Sequence, residues 1–237
     1  MNKKHAKLLL VVMAKAPVPG KVKTRLLPHF TAEEAVDLYR CFLRDRIRTI
    51  STLKGVDLAI AFTPADARDS FIHLSQNGIG LISQKGADLG ERLNNIFIEK
   101  LGCGYDAVSI IDSDTPDLPQ RTIQESFRRL LSSQADVVFG PCHDGGYYLV
   151  GMRRPHPELF DDIAWSTATV LSHTLEKAKQ LGVKTDLLPW RYDLDTFEDL
   201  VVFYNRYRNQ RPPGHWPGEE TFLYLSRLRR INSDNSR

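Results

Sequence analysis

Cysteine is scarce: Cys41, Cys103 and Cys142 are the only three in 237 residues, and they are scattered. An odd number without a C-x-x-C pair excludes a disulfide framework and argues against structural zinc. A reducing compartment, the cytoplasm, is the expected setting. Long apolar runs are also lacking. None approaches the roughly 20 residues of a membrane span. The opening "MNKKHAKLLLVVMAKAPVPG" starts basic and turns apolar, but Leu8 to Ala14 is short for a secretory signal. Lys15-Ala16-Pro17 reads instead as a strand entering a loop. A large charge excess is absent as well. The net +3 does not point to nucleic acid, and the basic C-terminal "YLSRLRRINSDNSR" reads as a solvated helix end. Finally, "PGKVKT" is no P-loop: it lacks the first glycine of G-x-x-x-x-G-K-[ST] and the Ser/Thr directly after lysine.

What is there is an ordinary globular composition, 42% hydrophobic and 26% charged. It fits one large domain whose core needs no covalent staples. Short apolar runs alternate with helical patterns. Strands are expected at Leu8–Met13, "DLAIAFT", "GIGLIS", "DAVSIID", "DVVFGP", "GYYLVGM" and "KTDLLP". Helices are expected from Thr31 with a Thr31/Glu34 capping box, over Asp66–Gln76, "DLGERLNNIFIEKL", "PQRTIQESFRRLLS", Thr167–Leu181 and Phe197–Arg208. Strands separated by helices need crossovers, so the class is α/β with a mostly parallel sheet covered on both faces. The "GYYLVG" strand follows its predecessor so closely that it should add a mixed or antiparallel element. The linker-like "NQRPPGHWPGEE" divides a domain over 1–210 from an extension over 211–237, read as a helix packed on the domain or at a homodimer contact.

In open parallel sheets ligands bind beyond the carboxyl ends of the strands, and the unusual residues fall there. After the first strand, "AKAPVPGKVKTRL" carries Lys15, Lys21, Lys23 and Arg25, suited to an anionic ligand such as a nucleotide. After the fourth, "SIIDSDTPDLP" loads the end of a buried strand with Asp112, Asp114 and Asp117. In an extended chain Asp112 and Asp114 share a side, so the pair could hold Mg²⁺; Asp117 is expected to cap the next helix or turn. A lone D-x-D is equally a solvated turn. "RYDLDT" repeats the arrangement with Asp193 and Asp195, and Thr196 is placed to cap the helix behind it. Two D-x-D-T segments and a basic loop are the parts for metal-assisted chemistry on a phosphate-bearing substrate.

"GPCHDGGYYLVGM" adds a Gly145-Gly146 turn, with Asp144 and the edge of Tyr147 available to read a ribose, sugar or acceptor. A hairpin without function explains it too. Cys142 and His143, as sequence neighbours, are not expected to aim at one point. In "GADLGERL", Asp88 and Arg92 sit where a strand passes into a helix, and capping explains Asp88 as well as ligand contact does.

Taken in order, "MAKAPVPGKVKTRL", "DLGERL", "IDSDTPDLP", "GPCHDGGYYLVG", "DIAWST" and "YDLDTFEDL" resemble the glycosyltransferase family related to 2-phospho-lactate guanylyltransferase. Some of its members are labelled arsenosugar-biosynthesis glycosyltransferases. The resemblance runs from about Leu8 to about Tyr204. It implies the GT-A-like nucleotide-diphospho-sugar transferase fold, Mg²⁺ or Mn²⁺ as cofactor, and a nucleotide or nucleotide-sugar with a small-molecule acceptor as substrates. By that resemblance Lys21, Lys23 and Arg25 match the phosphate-holding loop. One of Asp112 and Asp114 shares the metal with one of Asp193 and Asp195, and Asp114 and Asp195 are taken as the catalytic pair. The loop departs from the glycine-rich G-x-G-x-R core of related nucleotidyltransferases. Glycosyl transfer, nucleotidyl transfer with pyrophosphate leaving, and a non-catalytic nucleotide-binding module therefore stand side by side, in that order.

Overall fold

The computed structural model describes residues 6–75, 78–212 and 214–233. Seven strands, β1 (Leu8–Lys15), β2 (Asp57–Thr63), β3 (Gly80–Ser83), β4 (Ala107–Ile111), β5 (Val137–Pro141), β6 (Tyr147–Met152) and β7 (Thr185–Leu187), form one sheet in the order β3-β2-β1-β4-β6-β5-β7. β6 pairs antiparallel with both β4 and β5, and every other pairing is parallel. The helices are α1 (Ala32–Ile50), α2 (Leu89–Gly102), α3 (Gln120–Leu131), α4 (Val170–Gln180), α5 (Phe197–Asn209), α6 (Glu219–Ser226) and α7 (Arg229–Ser233).

Alternation along β1 shows how the sheet is buried on both sides. Leu9 and Val11 pack with Leu93, Phe97 and Leu171 from α2 and α4. Leu10 and Val12 face the opposite side with Ile123 and Phe127 of α3, and Ala14 joins Leu38, Phe42 and Leu200 of α1 and α5. A strand with both faces covered has no use for polar alternation, which is why β1 reads as a continuous apolar run.

Local chemistry sets the helix starts. Thr31 accepts from Glu34 N while Glu34 accepts from Thr31 N, and Thr196 and Asp199 form the same reciprocal cap on α5. The short α6 lacks such a cap of its own, since Gly218 has no side chain. The buried carboxylate of Asp45, on α1, accepts instead from the backbone N–H groups of Glu220 and Thr221 and from the Thr221 hydroxyl. Around it Arg44 and Arg48 pair with Glu219 and Glu220. The C-terminal segment is thus fastened to α1, with Trp216, Phe222, Leu225 and Ile231 in the core on that side.

Three elements differ from expectation. In place of a helix over Asp66–Gln76 there are two 3-10 turns, Ala67–Ser70 and Ile72–Leu74, and Gln76 itself lies outside the described residues. Asp66 provides no side-chain cap, and Phe71, fully buried and stacked on Phe62, draws the chain inward between the two turns. α4 begins at Val170 rather than Thr167, because the Thr167 hydroxyl bonds Ala164 O and Thr169, local bonds that compete with the helix. Asp117 does not cap: α3 starts from Pro119 without a side-chain bond, and Asp117 instead accepts from the Tyr207 hydroxyl and pairs with Arg206.

Candidate active site

From β1 the chain connects to β2 on one side, while β4 lies on the other, so a crevice opens at the carboxyl ends of β1 and β4. A cavity of about 700 Å³ lies there, lined by Lys15, Lys21, Lys23, Arg25, Asp88, Arg92, Asp112, Asp114 and Asp195, among others.

The loop after β1 is anchored by Ala16 N donating to Thr63 O (2.8 Å). Within it Lys23 takes a left-handed backbone, φ 49° and ψ 40°, uncommon for a residue with a β-carbon. Its side chain is 3% exposed, with Nζ 2.7 Å from Asp114 Oδ1, 2.8 Å from Asp195 Oδ1 and 2.9 Å from Leu194 O. All three ammonium hydrogens therefore have acceptors, and the Phe42 ring lies 4.9 Å away. Burial by itself would lower the Lys23 pKa, but the charges of Asp114 and Asp195 outweigh it and hold it above the ordinary lysine value. Asp195 shows the counterpart: burial pushes it up, and Lys23 more than compensates, leaving it below the ordinary carboxylate value. Lys15, Lys21 and Arg25 remain exposed at the rim. Of these, Arg25 comes within 3.5 Å of Asp195.

The two D-x-D-T segments are joined through the backbone, Leu194 N donating to Asp114 O (3.0 Å). This brings the carboxylates together in two distinct pairs. The outer pair, Asp114 and Asp195, clasps Lys23. Deeper in, Asp112 and Asp193 flank the buried Thr115 hydroxyl, which donates to Asp112 (2.8 Å) and lies 3.5 Å from Asp193. Cys142 Sγ donates to Asp193 Oδ1 at 2.6 Å, and one donor atom from each of Asp112, Cys142 and Asp193 lies within 4.8 Å of the others. Arg46, fully buried on α1, donates to Thr115 O and approaches Asp112 at 3.5 Å. This partial compensation is not enough. Burial, with repulsion from Asp114 added, raises Asp112 to about 7. Burial and repulsion from Asp112 raise Asp193 to about 8. The inner pair is short of positive charge; the outer pair is not.

Asp88 caps α2 by accepting from Glu91 N, and Arg92 donates to Gly86 O and Ala87 O, so both reach the cavity already engaged. Asp144 to Tyr147 lie outside its lining. Asp144 accepts from Gly146 N. Gly145 (φ 92°) passes the Ala168 backbone so closely that a β-carbon would come within 2.0 Å of Ala168 O. The Tyr147 ring packs between Phe139 and Trp165, with its hydroxyl buried. Cys142 and His143 diverge, one buried against Asp193, the other exposed.

Several cleft residues went unassigned at the level of sequence. Tyr39, from α1, shares a hydrogen bond with Ser113 and receives one from Lys15 N. Trp165, packed against Gly90 of α2, and Ser166 (φ 63°) line the cavity on the α2 side. The "DIAWST" motif contained the last two without indicating a role. Arg46 falls four residues after Phe42 and four before Ile50, on the apolar stripe of α1. That spacing was the signal that it turns inward while Arg40 and Arg44 face solvent.

A family model described as "Uncharacterized protein conserved in bacteria (DUF2064)" matches residues 46–167. Among solved structures, the "putative nucleotide-diphospho-sugar transferase from Desulfovibrio desulfuricans G20" is 33% identical, with TM-score 0.85 over 95% of this chain and 96% of that one. A cytidylyltransferase from Leptospira borgpetersenii serovar Hardjo-bovis (strain JB197) has TM-score 0.56 at 12% identity, covering 98% of this chain and 99% of its own. The CMP:2-keto-3-deoxy-manno-octonic acid synthetase complexed with CTP gives TM-score 0.56 at 12% identity, over 86% of this chain and 100% of that one. The last two share the fold. Comparison with curated proteins found no match. No helix among the described residues is long and apolar enough to cross a membrane. The fold is the GT-A-like nucleotide-diphospho-sugar transferase fold that the sequence motifs imply, and the chain belongs to the DUF2064 family.

Proposed function

We propose that the protein is a metal-dependent transferase that moves a glycosyl group from a nucleotide-diphospho-sugar to a small-molecule acceptor. The observation that carries this reading is the division of charge about the cavity. Exposed Lys15, Lys21 and Arg25 come from the end of β1 and the loop after it. Asp112, only partly compensated, lines the cavity from the segment after β4. Asp193, of the segment after β7, lies next to it across the Thr115 hydroxyl but outside the lining. The cationic rim suits a diphosphate. The 33% identical protein from Desulfovibrio, described as a "putative nucleotide-diphospho-sugar transferase", supports that substrate class.

Mg²⁺ or Mn²⁺ fits the inner pair. Asp112 and Asp193 supply hard oxygen donors, while the Cys142 thiol, held protonated by burial and these carboxylates, stands beside them as a hydrogen-bond donor. Both carboxyls are raised by burial and by repulsion, from Asp114 and Asp112 respectively. Such a pair gains from a divalent cation. Asp114 and Asp195, the pair assigned by resemblance to catalysis, already share an ammonium; their role in this reading is to fix Lys23 and the loop that carries it. A bound metal would supply positive charge against the departing diphosphate. The protein's own part is electrostatic and positional. Lys15, Lys21 and Arg25 draw in the phosphates, and the capped N-terminus of α2 with Arg92 and Trp165 forms the opposite wall. In the transfer, an acceptor hydroxyl oxygen bonds to the anomeric carbon as the carbon–oxygen bond to the diphosphate breaks. The electron pair leaves with the nucleoside diphosphate, and the hydroxyl proton passes to solvent. Three free cysteines support a reducing, cytoplasmic setting.

The test is a panel of nucleotide-diphospho-sugars and nucleoside triphosphates, each with and without Mn²⁺ or Mg²⁺, followed by thermal shift and product analysis. Metal-dependent release of a nucleoside diphosphate is expected. Release of pyrophosphate from a triphosphate would assign nucleotidyl transfer instead. Stabilisation without turnover, across a panel of acceptors, would leave a binding module.

A further inference from the structure

Beyond β5 and β7 the two chains continue side by side. Cys142 pairs with Arg191 in a parallel bridge, Arg191 N donates to Pro141 O, and His143 N donates to Arg191 O, both at 3.0 Å. Side chains alternate across such a ribbon. Cys142 and Asp193 turn inward and meet at 2.6 Å. Their neighbours His143 and Tyr192 turn to the other side and stack, centroids 4.1 Å apart and planes 17° from parallel, with Trp190 at 5.3 Å from His143. Three aromatic rings thus form a ledge on the protein surface. Trp190 is 52% and Tyr192 50% exposed, among the most exposed large apolar side chains described.

The core makes no use of these rings, and their surroundings are specific. The ledge stands on the same carboxyl edge of the sheet as the cavity, on the β5–β7 half, whereas the cationic loop belongs to β1 on the other half. Tyr192 precedes Asp193, and Asp144 follows His143. Asp144 uses Oδ1 on Gly146 N, while its Oδ2 has no hydrogen-bond partner among the described residues. The charge of Asp144 also reaches Asp193 and adds to the repulsion there. The exposed carboxylate next to the ledge in the chain is that of Asp144; Asp193 and Asp112 belong to the inward side of the ribbon. The guanidinium of Arg191, between Trp190 and Tyr192 in the chain, is turned away to donate to Asp117 O.

We propose that the His143–Trp190–Tyr192 ledge with Asp144 is the acceptor subsite and takes a neutral, hydroxylated ring, a saccharide. The apolar C–H face of a sugar covers an aromatic face well, while hydroxyl donors suit a carboxylate acceptor. A phosphorylated acceptor would meet the Asp144 carboxylate and find no lysine or arginine side chain among the ledge residues. The inference rests on the glycosyl-transfer reading. It adds the class of acceptor and its place, across the inner carboxylates from the cationic loop.

Saturation-transfer NMR on the full chain tests this, using methyl glucoside, methyl mannoside, methyl N-acetylglucosaminide and cellobiose as probes. Mg²⁺ and the common nucleoside diphosphates are present throughout. Transfer from protein to at least one glycoside is expected. Trp190→Ala and Tyr192→Ala should each weaken it about tenfold or more, as for an exposed aromatic anchor, while keeping the wild-type thermal shift with nucleoside diphosphates. Absence of transfer to every glycoside overturns the assignment, as does undiminished transfer in both variants. Sedimentation of the same samples covers the remaining occupant: a wild-type dimer that Trp190→Ala converts to monomer makes the ledge a self-association surface. If nucleotides stabilise and glycosides fail, only the ledge assignment falls. If no nucleotide stabilises, the transferase reading falls, and glycoside transfer lost in Trp190→Ala would still establish a saccharide-binding face.

Discussion

The ammonium of Lys23 lies 2.8 Å from Oδ1 of Asp195, 172 residues further along the chain. With Asp114 at 2.7 Å, this contact locks the first loop onto both acidic segments. It also distinguishes the four candidate carboxylates: two share a resident ammonium, and the other two have only the Arg46 guanidinium, 3.5 Å from Asp112.

Lys23→Met should destabilise the protein by about 1–3 kcal/mol, because it leaves Asp114 unpaired and Asp195 with Arg25 alone, while their partial exposure screens the loss. Urea denaturation measures it. Adding Asp195→Asn to Lys23→Met should recover part of the loss, since one stranded charge is then removed. Lys23→Arg should not rescue fully: a planar guanidinium does not reproduce three acceptors around one nitrogen.

Asp193→Asn should behave in the opposite sense. In the metal-free protein at pH 8 it should be neutral or stabilising, by about 1 kcal/mol, the order of one pKa unit. The substitution removes a carboxylate that burial and Asp112 disfavour, and the amide oxygen still accepts from the Cys142 thiol. Denaturation in the presence of a chelator is the measurement; a clear loss of stability would mean the inner pair is better compensated than its surroundings indicate.

Gly90→Ala should destabilise the cleft wall. An added β-carbon would come within 2.9 Å of both Phe160 O and the Trp165 indole, so the indole must move away from α2. A loss of about 1–3 kcal/mol is expected, with a shift in tryptophan emission. Unchanged emission would mean that Trp165 is not held against Gly90.

Asp45→Ala should loosen the C-terminal segment by removing three accepted hydrogen bonds from the start of α6. A cost of about 2 kcal/mol is expected, with faster hydrogen exchange at Glu220 and Thr221. Asp45→Asn, which keeps an acceptor oxygen, should lose less.

The strands, the caps at Thr31 and Thr196 and the antiparallel β6 were legible because each rests on local chemistry: apolar runs, hydroxyl–carboxyl spacing and a short glycine turn. The placement of the acidic segments at one sheet edge was legible from crossover topology. The partners of each aspartate were not. Spacing within D-x-D gives Asp112 and Asp114 one side of an extended chain, yet Asp112 turns back to accept from the N–H groups of Asp114 and Thr115. Only the folded chain delivers Lys23 to one pair and Arg46 and Cys142 to the other. Tyr147 was misjudged for a related reason: its ring follows the alternation of β6 into the core, beneath a tryptophan contributed by a different segment. The aromatic ledge was illegible because His143 and Tyr192 lie on different segments, 143 and 192 in the chain, and meet only through the Cys142–Arg191 bridge.

The most direct measurement is Mn²⁺ affinity by electron paramagnetic resonance, in the wild type, Asp112→Asn, Asp193→Asn and Lys23→Met. Each inner-pair variant should lose at least about tenfold in affinity, or 1.4 kcal/mol, while Lys23→Met gains none. Wild-type affinity in both inner-pair variants, together with tighter Mn²⁺ binding in Lys23→Met, would place the ion between Asp114 and Asp195 and contradict a metal held by the inner pair.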